Sequence, residues 1–166
     1  MAETEVDPSH AAMQEMARVF RESGPGLWRA VYVFTGGRRS VADDAVAEAF
    51  ARAIHHRDRI RDPIRWLFRT AFRIAASELA RDRRFEGERD ASVEPPGEEE
   101  VDVMRALRQL PRNQRAAVYL VHALGYPAAE AGRLMGIAPA TVRVHLHRGR
   151  RRLSELLVDR EEGSGA

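Results

Sequence analysis

Apolar residues recur at a spacing near 3.6 in almost every segment of this chain, and no stretch alternates with period two for long. The expectation is therefore an all-α fold. Met13, Met16, Ala17 and Phe20 mark one face of a helix over about His10 to Arg21. Pro25, with the φ that suits a first helical turn, is expected to open a second helix, apolar at Leu27, Trp28, Val31 and Phe34 and ended by Gly36-Gly37. Ser40 with Asp43 three residues on resembles a capping box, starting a helix to about His55 whose Val46, Ala49, Phe50 and Ala53 face inward. After a polar break from His56, Asp62-Pro63 caps and opens a long helix to about Arg84, with Trp66, Leu67, Thr70, Ile74 and Leu79 on its buried side.

Glu86 to Glu100 has almost no apolar residues and contains Pro95-Pro96-Gly97, which reads as a flexible linker between two small domains, 10–85 and 101–158. In the second, an amphipathic segment from Val101 to Leu110 precedes Pro111 and a helix to Leu124 that Gly125 stops. Two shorter elements follow, Ala128 to Met135 and Pro139 to Leu157, separated by Gly136-Ile137-Ala138. The tail Glu161 to Ala166 is expected to be disordered.

Charge is distributed unevenly. The formal total is +2, yet ten arginines between Arg52 and Arg84 face four acids, a local excess of six, and a second basic block holds Arg143, Arg148, Arg150, Arg151 and Arg152. Eight acids and one arginine lie between them, from Glu86 to Asp102. Two basic modules around an acidic spacer point to two polyanion contacts. With 0 cysteines there is no disulfide framework, thiolate metal site or cysteine nucleophile. No apolar run approaches the roughly 20 residues of a membrane span, and a cytoplasmic protein without membrane insertion is expected. Neither a phosphate loop nor a nucleophile elbow is present, and the pairs His145/His147 and His55/His56 lack an acid at ligand spacing. No enzyme activity, cofactor or metal is expected.

A helix, a glycine turn and an arginine-rich second helix have the geometry of a helix-turn-helix, whose second helix enters the major groove. Val142, Leu146, Gly149 and Leu153 share the core-facing side, leaving Ala140, Thr141, Arg143, Val144, His147, Arg148, Arg150 and Arg151 as candidates for base and phosphate contacts. Leu110-Pro111, Gln114-Arg115, Val118, Gly125, Glu130, Gly136, Thr141-Val142-Arg143, Leu146, Arg148, Arg150, Arg151 and Leu153 resemble the fourth region of extracytoplasmic-function (ECF) sigma factors. The run Ala42-Asp43-Asp44-Ala45-Val46-Ala47-Glu48-Ala49-Phe50, with Pro63, Trp66-Leu67, Arg69, Ala71 and Arg81 downstream, resembles that family's second region.

The resemblance implies a sigma factor that directs RNA polymerase to promoters. Asp43, Asp44 and Glu48 would meet the beta-prime clamp helices, and the C-terminal domain would touch the beta flap and the minus-thirty-five element. His56, Arg57, Arg59, Arg61, Arg65, Arg69, Arg73 and Arg81 would serve the minus-ten element, and an anti-sigma factor is a possible further partner. Trp66, Phe68 and Phe72 are the aromatic residues that can stack on unpaired bases, with core packing favoured for Trp66. Arg73 and Ser77 stand where the family usually has asparagine and aspartate, Pro127 and Ala138 where capping serines are common, and Val144-His145 where a serine-arginine pair is frequent. The alternatives are a stand-alone helix-turn-helix regulator and a degenerate sigma-like protein that docks on polymerase without directing initiation.

Overall fold

The computed structural model describes residues 8–85 and 100–163, with side-chain environments for 10–82, 103–156 and 158. The seven α-helices among the described residues are α1 Pro8–Phe34, α2 Arg39–His55, α3 Pro63–Phe85, α4 Glu100–Arg108, α5 Arg112–Val118, α6 Ala128–Met135 and α7 Pro139–Gly163. A 3-10 turn, Arg57–Arg59, separates α2 from α3, and a π-helical turn, Tyr119–Ala123, extends α5. No strand occurs among the described residues. Most of the linker reading lies outside them, as do the last three residues of the tail; Glu161 to Gly163 continue α7, against the expectation of disorder.

Two local expectations fail for identifiable reasons. The helices expected on either side of Pro25 are one, α1, with Pro25 inside it. Met16, Val19, Leu27, Ala30, Val31 and Phe34 keep helical register across the proline and are all buried, so packing along the whole length outweighs the hydrogen bond that Pro25 cannot donate. The N-terminal stripe is correspondingly Met16 and Val19, whereas Met13 and Phe20 are exposed. Nor does Ser40 cap α2: that helix starts at Arg39 without a side-chain cap. Asp43 instead accepts a 2.7 Å hydrogen bond from Trp28 Nε1, tying α2 to α1.

Other elements follow their chemistry. Alternating alanine and larger apolar residues bury Val41, Ala42, Ala45, Val46, Ala49, Phe50 and Ala53 of α2. At the start of α3 the Asp62 carboxylate accepts from the Arg65 backbone N–H at 3.0 Å, a side-chain cap ahead of Pro63. Phe68 and Phe72 are buried in the core, edge-on or tilted to Tyr126 and Phe34, and are not free to stack on bases. Gly136, at φ 71°, turns α6 into α7 in the left-handed region that suits glycine. Gly132 lets that turn close, since a Cβ there would lie 2.8 Å from the Ile137 carbonyl oxygen.

Helices α1 to α3 and α4 to α7 pack against each other through one continuous apolar cluster, from Leu27, Phe68 and Phe72 to Ala116, Leu120, Leu134 and Val142. A polar clasp reinforces the junction. Arg115 of α5, 9% exposed, donates through Nη2 to the Phe34 carbonyl at 2.9 Å and through Nη1 to the Arg108 carbonyl at 3.3 Å, so one guanidinium serves the C-terminal ends of α1 and α4. It lies against Gly36, and the Arg108 guanidinium against Gly37, where a Cβ would sit 2.8 Å and 2.6 Å from the respective Nη atoms. Burial, then the neighbouring Arg108, pushes the Arg115 guanidinium down to about 10, which still leaves it protonated at neutral pH.

Two outcomes are expected in urea unfolding. Gly132→Ala should lower stability by about 1–2 kcal/mol despite its helical gain, because its neighbour is backbone, whereas Gly26→Ala, with open space around it, should raise stability by about 0.5–1 kcal/mol. Arg115→Met should cost about 2–4 kcal/mol, since it strips a buried carbonyl of its charged donor.

Candidate nucleic-acid interface

The helix-turn-helix is built around Val142, which is fully buried, with Gly149 buried behind it and Leu146 and Leu153 half-buried. Gly149 admits α5 closely: a Cβ there would stand 2.8 Å from Val118 Cγ2 and 3.1 Å from Leu110 Cδ2. These contacts fix the roll of α7. Consequently Ala140, Thr141, Arg143, Val144, His147, Arg148, Arg150 and Arg151 are all exposed. Arg151 is held by Glu155 at 3.0 Å, and no ion pair engages Arg143, Arg148 or Arg150 among the described residues.

His145, one of the departures from the family pattern, is half-buried, and its Nδ1 is enclosed without a hydrogen-bond partner. Burial, and then the nearby Arg148 cation, hold its imidazole below the ordinary value of 6.5.

The second candidate surface lies on the opposite half of the molecule. Arg59, Arg61, Arg65, Arg69 and Arg73 line one cleft of about 610 Å³ with half-buried Trp66, and the far wall of that cleft is Met135 and Gly136 of the helix-turn-helix. His56 is exposed and is not part of the cleft lining. Arg57 is turned inward, donating to the Ile54 carbonyl at 3.1 Å, and Arg81 is paired with Glu78 at 2.6 Å outside the cleft. Five of the eight residues expected at this surface are thus brought to one cavity.

Of the three acids on α2, Asp44 is exposed, Glu48 holds Arg52 at 2.6 Å, and Asp43 is engaged by Trp28 and lies 3.9 Å from Arg39. Arg39 also stands over the Trp28 ring at 5.7 Å, and Trp28 stacks on Tyr32. Sequence reasoning missed Arg115 as a junction residue, because an arginine in the last turn of a short helix reads as a solvated charge. Met135 and Gly136 were equally unreadable as a cleft wall, since they face α3 only through tertiary packing. No metal-binding group of histidine and acid side chains occurs among the described residues, and no helix among them is long and apolar enough to cross a membrane.

The Sigma-70 region 4 family matches residues 100–153. The ECF RNA polymerase sigma factor EcfG of Rhodopseudomonas palustris is 31% identical over 150 residues, 82% of this chain and 83% of that protein. The ECF sigma factor SigL of Mycobacterium tuberculosis is 32% identical over 147 residues, 80% of this chain and 82% of that protein. Among solved structures, the sigma factor RpoE in complex with the anti-sigma factor NepR from Bartonella quintana superposes with a TM-score of 0.70 at 24% identity, covering 87% of this chain and 95% of that one. CnrH in complex with the cytosolic domain of CnrY gives 0.68 at 24%, covering 91% and 95%.

Stability should respond to acid through His145. An imidazole whose folded value is depressed contributes stability above pH 6.5 that is lost as pH falls through the lowered folded value. The thermal midpoint of the parent chain should therefore drop more steeply between pH 7 and pH 5 than that of His145→Gln, and parallel profiles would contradict the assignment.

Proposed function

Because the chain belongs to the ECF sigma factors, which direct RNA polymerase to promoters and support transcription initiation, we propose a division of labour between its two arginine surfaces. The α7 face reads the minus-thirty-five duplex: Thr141, Arg143 and Val144 meet base edges near the helix start, and Arg148, Arg150 and Arg151 hold phosphates. The cleft arginines of α3 and the 57–62 turn serve the minus-ten strand, with Trp66, alone of the trio Trp66, Phe68 and Phe72, left accessible for a base. Asp44 and Glu48 dock on the beta-prime clamp helices, mainly by steering and register, and α4–α5 on the beta flap. Asp43 acts through its bond to Trp28, holding α2 on α1. The protein works by binding rather than by catalysis, without a cofactor, in the cytoplasm.

The observation that carries this reading is the clustering of unpaired arginines on two surfaces. Arg18, Arg38, Arg52, Arg81 and Arg133 each hold a carboxylate at 2.6–2.7 Å, whereas Arg143, Arg148 and Arg150 on α7 and the five arginines of the cleft hold none among the described residues. Charges left unpaired on two surfaces are available for phosphates.

We also infer that residues 10–85 and 101–158 act as two modules joined by the 86–100 linker, packed together off polymerase and held apart on it. In the packed arrangement Gly136 sits on Arg69, a Cβ there being 3.2 Å from Arg69 Nε, so the helix-turn-helix partly covers the minus-ten surface. An anti-sigma factor is the partner expected to favour that arrangement, a reading supported by the neighbour solved with the anti-sigma factor NepR.

Multi-round transcription with purified core polymerase on a promoter library should give chain-dependent transcripts sharing two upstream elements. Arg148→Gln/Arg150→Gln should reduce them across promoters and lower the salt dependence of promoter binding by about one unit of slope for each phosphate the protein no longer neutralises. Transcription unaffected by the double substitution would remove α7 from the phosphate contacts.

A further inference from the structure

The cleft has a property that strand binding does not require. Its near wall is the arginine face of α3 and the 57–62 turn, but its far wall, Met135 and Gly136, belongs to the other half of the chain. A nucleic-acid strand needs only the arginine face, exposed along its length; an open cleft of about 610 Å³, walled on one side by the second half of the chain, has the volume of a small-molecule site, within the roughly 300–1,000 Å³ such sites occupy.

Its chemistry is one-sided. Arg59, Arg61, Arg65, Arg69 and Arg73 all line it, and none is in an ion pair among the described residues. The one acid in the lining, Asp62, already accepts the Arg65 backbone N–H at 3.0 Å. Five cations and one anion leave a net charge of four facing a single void, where mutual repulsion is relieved by a compact polyanion. Trp66, half-buried in the same lining, offers a π-face, and Met135 an apolar surface opposite. A second cavity of about 370 Å³ shares Arg65, Arg69 and Gly136 and is lined on its other side by α6, including Arg133, which is itself paired with Glu130 at 2.6 Å.

We propose that this cleft binds a free nucleoside polyphosphate, its phosphates on the arginines of α3 and its base against Trp66. Guanidinium pairs suit phosphate oxygens, and the accessible indole suits a base. A ligand that touches both walls stabilises the packed arrangement by mass action and occupies the arginines expected at the minus-ten strand, so it restrains initiation. The proposal goes beyond the sigma-factor reading, and it is tested without polymerase or promoter.

Trp28→Phe leaves Trp66 as the sole tryptophan, because the chain has 2. Its fluorescence should be quenched saturably, with one site per chain, by GTP or ATP, and at least tenfold more weakly by inorganic triphosphate, which lacks the base. Arg65→Gln/Arg69→Gln should weaken nucleotide binding by tenfold or more. Met135→Asp, on the wall opposite α3, should do the same, and Arg133→Glu, an exposed position whose one ion pair is with Glu130 a turn earlier, should weaken it several-fold. Absence of saturable quenching by either nucleotide would overturn the proposal. So would triphosphate binding as tight as that of the nucleotides, or nucleotide binding indifferent to both Met135→Asp and Arg133→Glu. A single-stranded deoxyoligonucleotide that quenches Trp66 where nucleotides do not would assign the arginines to strand binding alone and equally overturn it.

Discussion

Arg115 reaches from one half of the molecule to the last carbonyl of the longest helix in the other half, and the relation between the two halves depends on that contact. Desolvating a guanidinium costs several kcal/mol, and no carboxylate pairs with this one among the described residues. What offsets the cost is the convergence of two helix C-termini, where unpaired carbonyls and the negative ends of the helix dipoles favour a cation. The contact also explains the double glycine that follows α1. Gly36 and Gly37 have φ of 77° and 89°, which ends the helix sharply, and they leave no side chain where the Arg115 and Arg108 guanidinium groups lie. Turn conformation and close approach thus make the same demand on the same two residues.

From that junction the two binding surfaces follow. Apolar packing between Phe68 and Phe72 on one side and Ala116, Leu120 and Leu134 on the other carries most of the adhesion, and the clasp fixes its register. The register seats Gly136 on Arg69 and closes the cleft over α3, while Gly149 against Val118 rolls the exposed face of α7 outward. Many ion pairs elsewhere, such as Arg52 with Glu48, are exposed contacts within one helix worth a few tenths of a kcal/mol, whereas Arg38 with Asp82 is a half-buried pair that reaches α3. Their significance lies in which arginines they leave out. On the proposed division of labour, uncovering the arginine face of α3 requires Arg115 to leave Phe34.

Helices whose burial is set by their own periodicity are legible in the sequence. In α2, Val46, Ala49, Phe50 and Ala53 repeat cleanly, and α6 is bounded by Pro127 and Gly136, so periodicity and punctuation locate both closely. Pro25 misleads because local chemistry favours a helix start there, while the stripe from Met16 to Phe34 that overrides it becomes decisive only once packed. Ser40 misleads for a related reason: Asp43, its expected capping partner, has a better donor in Trp28, 15 residues away. Phe68 and Phe72 are core rather than stacking platforms because Tyr126 and Phe34 close over them, and neither contact has a local signature. The exposed set on α7 is readable, since Val142 and Gly149 fix it from within the helix. The cleft is half readable: its arginines cluster in sequence, but its other wall lies more than 60 residues further along the chain.

Packing of the two halves in the free chain, and their separation on polymerase, is open to direct measurement. With 0 native cysteines, Ala51→Cys in α2 and Ser154→Cys in α7, both exposed, can carry spin labels without further substitution. The distance between them, measured by pulsed dipolar spectroscopy, should be a single short distribution in the free chain and shift to a longer one when core polymerase is added. The same distribution in both states would contradict the account.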